Sequence, residues 1–426
     1  MPAPNILLFI THDTGRHLGC YGRGAAAPNL DRLASEGVLF DNCFCPAPQC
    51  SPSRASLLTG RMPHNHGLIG LTHRGFRLRE DVPTLPQLMQ KAGYTTHLFG
   101  HQHEAPNGHA LGYQTVKVGE KALFSCLTVT PLLLEFLASQ PKEPFCAVVG
   151  VTETHRPYPP TEGSLRHVKV PPYLPDEPVV RRDVAGLNGL VERVDKSIGQ
   201  VLDALERNGL AENTLFIYTT DHGIAFPGAK ATLFDPGIEI ALLARWPGGF
   251  TGGRRVRSMT SNMDLLPTLL EVIEYPSPAG VEGRSVVPLV LGEADRVRDH
   301  LFVEQTFHAA YDPMRGVRTE RYKYIRSFAQ RPYSFPPNVD PGPTKNLLRD
   351  RGYFNRPRPM ELLFDLQSDP LEQRNLADDL AHSQTLAELR EIVMRKMRED
   401  DDPLLLGPAP IPPGAYVTSP ESYEPR

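Results

Sequence analysis

The stretch "NILLFITHD", Asn5 to Asp13, decides the fold. Ile6 to Ile10 is an unbroken apolar run, short enough for a strand buried on both faces, and it runs straight into a histidine and an aspartate. The same plan recurs along the chain. "PNLDRLASEG" (28–37) has proline near its start and glycine at its end, which fits a helix, and the apolar "VLF" follows. "LPQLMQKAGYTTHLFG" (85–100) repeats helix and strand and ends at "HQHE". A helix in "PLLLEFLAS" (131–139) leads to the strand "FCAVVGV" (145–151), then "TETHRPY". The long helical stretch "LNGLVERVDKSIGQVLDALERNG" (187–209) leads to "TLFIYTT" and then "DHG". This alternation predicts an α/β fold, a mostly parallel sheet sandwiched by helices. In such sheets ligands sit beyond the carboxyl ends of the strands. His12, Asp13, His101, His103, His155, Asp221 and His222 all follow strand ends and are predicted to converge on one place. Any one of them alone reads as a surface or satisfied core residue; the repetition marks a site.

From about residue 300 the texture changes. "HLFVEQTF", "MRGVRTERYKYIRSF" and "ELLFDL" read as strands separated by turns, and "LAELREIVMRKMRED" as an amphipathic helix. The chain is therefore divided into a catalytic α/β domain (1–300), a smaller C-terminal α+β subdomain (301–400) and a proline-rich tail (401–426). The tail reads as lying on its own surface or, alternatively, as an arm exchanged with a second subunit. Proline, 43 of 426 residues, is about twice its usual ~5% share, so many connections are expected to be rigid. A net charge of −4 gives no reason to expect nucleic acid or an anionic membrane as partner. The largest basic cluster, Arg254, Arg255 and Arg257, reads as a solvated loop. No secretory signal is evident and no apolar run approaches the roughly 18 residues that cross a bilayer. Six cysteines are too few for a disulfide framework in so long a chain, and Cys43, Cys45 and Cys50 fit no familiar zinc spacing. The expected compartment is the cytoplasm.

One cysteine has a special context. "CSPSRASLLTG", Cys50 to Gly60, matches Cys-x-Pro-Ser-Arg-(four residues)-Thr-Gly. Six fixed positions at roughly 5% usage each give a chance match on the order of 10⁻⁸ per window. This run resembles the signature of the formylglycine-dependent sulfatases, whose fold is alkaline-phosphatase-like and whose cysteine is oxidised to an aldehyde by a maturation enzyme before folding. The resemblance extends through "DHG", "AKATLFDPGIEIALLARWPG", "RTERYKYI" and "FDLQSDPLEQRNLA". Within the family the chain looks most like the sulfamidases (N-sulfoglucosamine sulfohydrolases), in "CSPSRASLLTG", "DHGIAFP" and "PMRGVRT".

The residues themselves suit the chemistry that the resemblance implies. Cys50 precedes a short predicted helix whose N–H groups and dipole favour an anion. A hydrated aldehyde carries two hydroxyls: one, acidified by a metal ion, can attack sulfur, and the second provides the exit that expels sulfate. By resemblance Arg54 holds the diol, Lys230 grips the sulfate, His155 protonates the leaving group and His103 helps deprotonate the diol. Histidine suits both proton transfers because it titrates near neutrality.

The chain also departs from the family. Where relatives offer an Asp-Asp and an Asp-Asn pair, this sequence reads His12–Asp13 and Asp221–His222. Two oxygen ligands become imidazoles, so the expected single divalent ion is calcium or, better suited to nitrogen, Mn, Zn or Fe. His12 is a ligand or an outer hydrogen-bond donor. His101 stands where the family carries a lysine, which predicts a titratable cation against the substrate. His308, in "FVEQTFHAAYDPMR", contacts the substrate beyond the sulfate or is a packed histidine. The expected activity is hydrolysis of sulfate monoesters or sulfamates of a small molecule or saccharide. Two other readings stand: a phosphonate or phosphate ester hydrolase of the same superfamily, and a non-catalytic anion-binding protein on the same fold.

Overall fold

All seven residues of the first strand, Asn5–Thr11, are buried, and its side chains divide between two cores. Ile6, Leu8 and Ile10 enter one; Leu7 and Phe9 enter the other. That division is the period-two geometry of a strand covered on both faces. The structure is a computed structural model and describes residues 3–118, 124–161, 165–329 and 331–425.

Among those residues, strands β1 (Asn5–Thr11), β2 (Val38–Phe44), β3 (Thr95–Gly100), β4 (Thr115–Lys117), β5 (Phe145–Val151), β6 (Thr214–Thr220), β7 (Glu239–Ile240), β8 (Leu242–Arg245) and β9 (Arg254–Ser261) share one sheet. Neighbouring order runs β4-β3-β5-β1-β6-β8-β2-β7, with β9 pairing β2. The strands β4, β3, β5, β1 and β6 are parallel throughout, so the sheet is mostly parallel, as the alternation predicts.

Helices cover both faces. Leu30 and Leu33 of Pro28–Glu36, Val129 and Leu133 of Cys126–Ala138, and Val184 to Leu205 of Pro178–Arg207 pack on one face. Leu57 and Leu58 of Cys50–Thr59, Leu88 of Leu85–Lys91 and Leu266 of Leu265–Val272 pack on the other. Two helices begin earlier than the apolar pattern suggests. Ser125 caps Cys126–Ala138 by accepting from Leu127 N at 3.2 Å, so Pro131 lies inside that helix. Pro178 opens the long helix from its first turn, where its missing N–H costs nothing.

The expectation of a solvated loop at Arg254, Arg255 and Arg257 is corrected: these residues stand on β9. All three are exposed there, because an outer strand leaves part of its surface to water and tolerates cations that a central strand would not.

The later residues form a second sheet, antiparallel and in sequence order: β10 (His300–Phe307), β11 (Tyr311–Thr319), β12 (Tyr322–Ser327) and β13 (Glu361–Asp365). Leu386, Leu389, Val393 and Met397 of helix Ser383–Glu399 pack on Val317, Tyr324 and Leu363. The final segment makes one 3₁₀ turn, Pro403–Leu405, and returns over its own chain. Tyr416 N donates to Arg74 O, Thr418 N to Ala309 O, and Lys345 Nζ to Tyr423 O.

The two sheets are tied by charge as well as by apolar contact. His64 lies between Glu304 (2.5 Å) and Asp400 (3.0 Å), while Arg315 spans Asp402 (2.5 Å) and Glu304 (3.5 Å). Burial opposes charging His64, yet Glu304 and Asp400 outweigh it and push its pKa up to about 10. Burial raises Glu304, and Arg315 with His64 brings it down to about 2. Replacing Glu304 by alanine leaves His64 to Asp400 and Arg315 to Asp402 alone and should cost about 3 kcal/mol in urea unfolding. His64 has a raised folded pKa, so its contribution is full below pH 6.5 and fades as pH rises towards 10. The stability difference between wild type and His64→Gln should shrink across that window; a difference constant with pH would refute the ion pair.

Candidate active site

Four neighbouring parallel strands, β3, β5, β1 and β6, end at one edge of the sheet. Their register aligns Gly100 with Gly150, Val151 with Thr11, and Thr11 with Thr220. The residues that follow each strand are therefore neighbours in space, which is why His101, His155, His12, Asp13, Asp221 and His222 meet. Gly150 is required for this: a Cβ there would lie 1.9 Å from the His101 carbonyl oxygen. The helix Cys50–Thr59 points its start at the same edge, has no side-chain cap, and ends at Gly60 with φ 66°. Its N-terminal N–H groups are thus left for an anion.

At the centre two carboxylates are fully buried. Asp13 has φ 47°, an unusual conformation for a residue with a side chain. It is held by its N–H donating to Asp221 Oδ1 at 2.9 Å. The same oxygen accepts from His222 N at 2.9 Å. His222 Nδ1 faces the Gly223 carbonyl at 2.9 Å, which assigns the proton to Nδ1 and leaves Nε2 bare. That bare nitrogen lies 3.2 Å from Asp13 Oδ1, 3.7 Å from Asp221 Oδ1 and 3.2 Å from Cys50 Sγ. A lone pair facing two carboxylates is repulsive without a cation between them. His12 Nδ1 is 3.0 Å from Asp221 Oδ2 but out of hydrogen-bonding alignment, so both His12 nitrogens and Asp221 Oδ2 are buried without a hydrogen bond. Ligand atoms of His12, Asp13, Cys50 and Asp221 lie within 4.8 Å of one another. The donor set, two carboxylates with adjacent imidazoles, fits a divalent ion and favours nitrogen-tolerant metals over calcium. Burial, followed by Arg54, pushes the His12 pKa well down, so it is a neutral imidazole.

Around this centre the structure brings the remaining residues. Lys230 Nζ is 2.9 Å from Asp13 Oδ2 and 2.8 Å from Asp340 Oδ2. Arg54 is buried and pairs through Nε with Glu104 at 3.0 Å. The His101, His155 and His103 rings lie 4.9, 5.9 and 6.4 Å from that of His12. His103 Nε2 meets His73 Nδ1 at 2.9 Å. His155 Nε2 lies 4.0 Å from Asp13 Oδ2, with its side chain 41% exposed at the mouth. His308 is buried and neutral, its pKa pushed down to about 3 by burial and then by Lys230. The sequence suggests a titratable cation at position 101, and this is corrected: burial, then Arg54 and His155, pushes His101 down to about 3. It is uncharged at neutral pH and does not replace a lysine electrostatically.

Three residues of the site escape the sequence reading. Glu104 directly follows the "GHQH" run and was within reach of it. His73 lies in the 3₁₀ turn Thr72–Arg74 and Asp340 in a loop, within "LTHRG" and "NVDPGP", neither of which shows periodicity. A cavity of about 320 Å³ opens beside Gly15, Arg16, Tyr173 and Glu239, but none of the clustered site residues lines it.

Comparison with known proteins identifies the family. Residues 4–275 match the sulfatase family, and residues 226–354 match the C-terminal region of N-sulphoglucosamine sulphohydrolase. An ulvan-active sulfatase of Formosa agariphila is 30% identical over 390 residues, 88% of this chain and 76% of its own. The human N-sulphoglucosamine sulphohydrolase is 29% identical over 469 residues, 95% of this chain and 92% of its own. A solved 2-O GAG sulfatase shares the fold, with a TM-score of 0.76 at 23% identity over 95% of this chain and 94% of its own. These matches do not favour the phosphonate or phosphate ester reading. The chain belongs to the sulfatase family and is a hydrolase of sulfate esters or sulfamates.

Proposed function

We propose that the chain removes sulfuryl groups from sulfated saccharides through a formylglycine made from Cys50, with one divalent ion held by His12, Asp13, Asp221 and His222. The observation that carries this reading is the setting of Cys50. Its Sγ sits at an uncapped helix start, 3.2 Å from His222 Nε2 and 4.0 Å from Asp13 Oδ1. The sulfur occupies the place where a hydrated aldehyde would present its hydroxyls. Burial, with Asp13 and Asp221 against Lys230, holds the thiol pKa well above its ordinary value. A thiol has no second hydroxyl through which to expel sulfate, whereas a hydrated aldehyde has one, so unmodified Cys50 does not suit the reaction. The saccharide substrate is supported by the names of the ulvan-active and N-sulphoglucosamine relatives.

The metal would supply Lewis acidity to a hydroxyl at position 50 and to a sulfuryl oxygen. The formylglycine would supply, once hydrated, a second hydroxyl whose ionisation drives sulfate out. The chain's own residues then have separable tasks. Arg54, fixed by Glu104, keeps a positive charge against the oxygens at position 50. Lys230 neutralises a sulfuryl oxygen. His155, half-exposed at the mouth with Nδ1 on the Arg156 carbonyl at 2.7 Å, offers Nε2 to the leaving atom as acid. His103 is kept neutral by burial, then by His101 and His73, so it can accept a proton. Its contact with exposed His73 gives that proton a route to solvent. Cys50 is 3% exposed in the fold, so a maturation enzyme must reach it before the chain folds. With Cys50 converted, the other five cysteines are unpaired thiols, which suits a reducing compartment such as the cytoplasm. No helix among the described residues is long and apolar enough to cross a membrane.

Peptide mass spectrometry across residue 50, on protein co-expressed with a maturation enzyme, should find a peptide lighter by the exchange of thiol for aldehyde. An intact thiol in protein that turns over a sulfate would sink the mechanism. Metal analysis should find about one transition-metal ion per chain, and Asp221→Asn should weaken its binding by at least about 100-fold, the scale set by loss of lesser contacts. Undiminished metal in that variant would place the ion elsewhere.

A further inference from the structure

Asp340 is a carboxylate where an anion-binding pocket should have none. Its Oδ2 lies 2.8 Å from Lys230 Nζ, the group assigned above to the sulfuryl oxygens. Burial raises its pKa, but Lys230, then His308 and His155, hold it well below the ordinary carboxylate range. It is therefore an anion beside the position of the substrate's own negative charge. Such a group weakens binding of a bare sulfuryl anion and favours a substrate that brings a donor to meet it.

The segment that carries Asp340 is built into place from two sides. On one, Asn338 Oδ1 accepts from Ala310 N at 2.7 Å, tying it to the loop of His308. On the other, Thr344 Oγ1 donates to Asp183 Oδ2 at 2.6 Å. Asp183 is gripped by both terminal nitrogens of Arg156 at 2.9 Å, and Arg156 follows His155. Gly342 permits this closure, since a Cβ there would stand 2.3 Å from Arg156 Nη1. Asp340 is thus fixed close to both His308 and His155. Its side chain is 14% exposed, enough for a ligand to reach it. Among the described residues no hydrogen bond reaches its Oδ1.

We propose that Asp340 is a specificity-determining residue that accepts a hydrogen bond from a donor flanking the sulfuryl group. The donor class is an N–H or O–H on the substituted sugar atom or its neighbour, as in a sulfated amino sugar. A substrate lacking such a donor leaves the carboxylate facing the sulfuryl oxygens. The inference rests on the sulfatase reading of the site and adds the group that reads the substrate around the sulfate.

The test compares wild type, Asp340→Asn and Asp340→Glu on glucosamine N-sulfate, which carries donors, and 4-nitrophenyl sulfate, which carries none. Asp340→Asn, which keeps an acceptor oxygen but loses the charge, should lower kcat/KM for the glucosamine by about tenfold, mainly through KM, while the aryl sulfate loses no more than about twofold. Asp340→Glu, which keeps the charge, should recover part of the selectivity. An equal loss on both substrates would overturn the proposal and leave Asp340 as a prop for Lys230. Calorimetry on Cys50→Ala protein, with and without Asp340→Asn, asks the same question without turnover. The expected result is a Kd for the glucosamine weakened by at least about tenfold with that for the aryl sulfate unchanged or improved; matched changes would again overturn it. If wild type turns over neither compound although Cys50 is converted, the saccharide sulfatase reading fails, and the calorimetry still decides the role of Asp340.

Discussion

Asp13 and Asp221 are carboxylates with no exposure to water, joined at the ends of adjacent strands by the Asp13 N–H to Asp221 Oδ1 hydrogen bond. Burying two anions together is costly unless charge of the opposite sign is brought to them. Lys230 answers part of that demand by reaching Asp13 from the loop beyond β6, while His222 and His12 bring no charge and turn nitrogens towards the pair that only a cation reconciles with it. The strained φ of Asp13 is tolerated because the sheet holds both strand ends in register. A divalent ion would complete the balance, and the same charge concentration that lets it bind would polarise the group at position 50.

Much of this framework is legible in the sequence because it is local. The apolar runs of β1, β5 and β6 and the polar residues directly after them lie within a few positions of each other, and parallel strands share an edge as a matter of topology. Cys50 and Arg54 share one helix and one motif. What is not legible depends on distant segments meeting. Glu104 acquires meaning only against Arg54, His73 only against His103, and Asp340 only against Lys230. The charge of His101 is likewise hidden: its neutrality comes from burial and from Arg54, neither of which a window of sequence contains. Arg254 to Arg257 mislead for the opposite reason, since exposed arginines look the same on an outer strand as in a loop.

The second sheet does more than extend the molecule. Glu304 on β10 and Arg315 on β11 lock it to the helix that carries His64. The connections around it deliver His308 and Asp340 to the mouth. Most of the clustered site residues are therefore carried by the parallel sheet, while His308 and Asp340 come from the later part of the chain.

The helix at Cys50–Thr59 has its packing partners far along the chain. Asn262 donates to Ser53 Oγ at 2.9 Å, Leu265 and Leu266 pack in the core of Leu57 and Leu58, and β9 pairs with the strand just before it. A ribosome has to translate some two hundred further residues after Cys50 before these contacts can form. During that interval the cysteine belongs to a nascent chain with an unfinished sheet. The order of synthesis would thus keep the residue open to the modifying enzyme proposed above without any dedicated delay, and shortening that interval by circular permutation would shorten its opportunity.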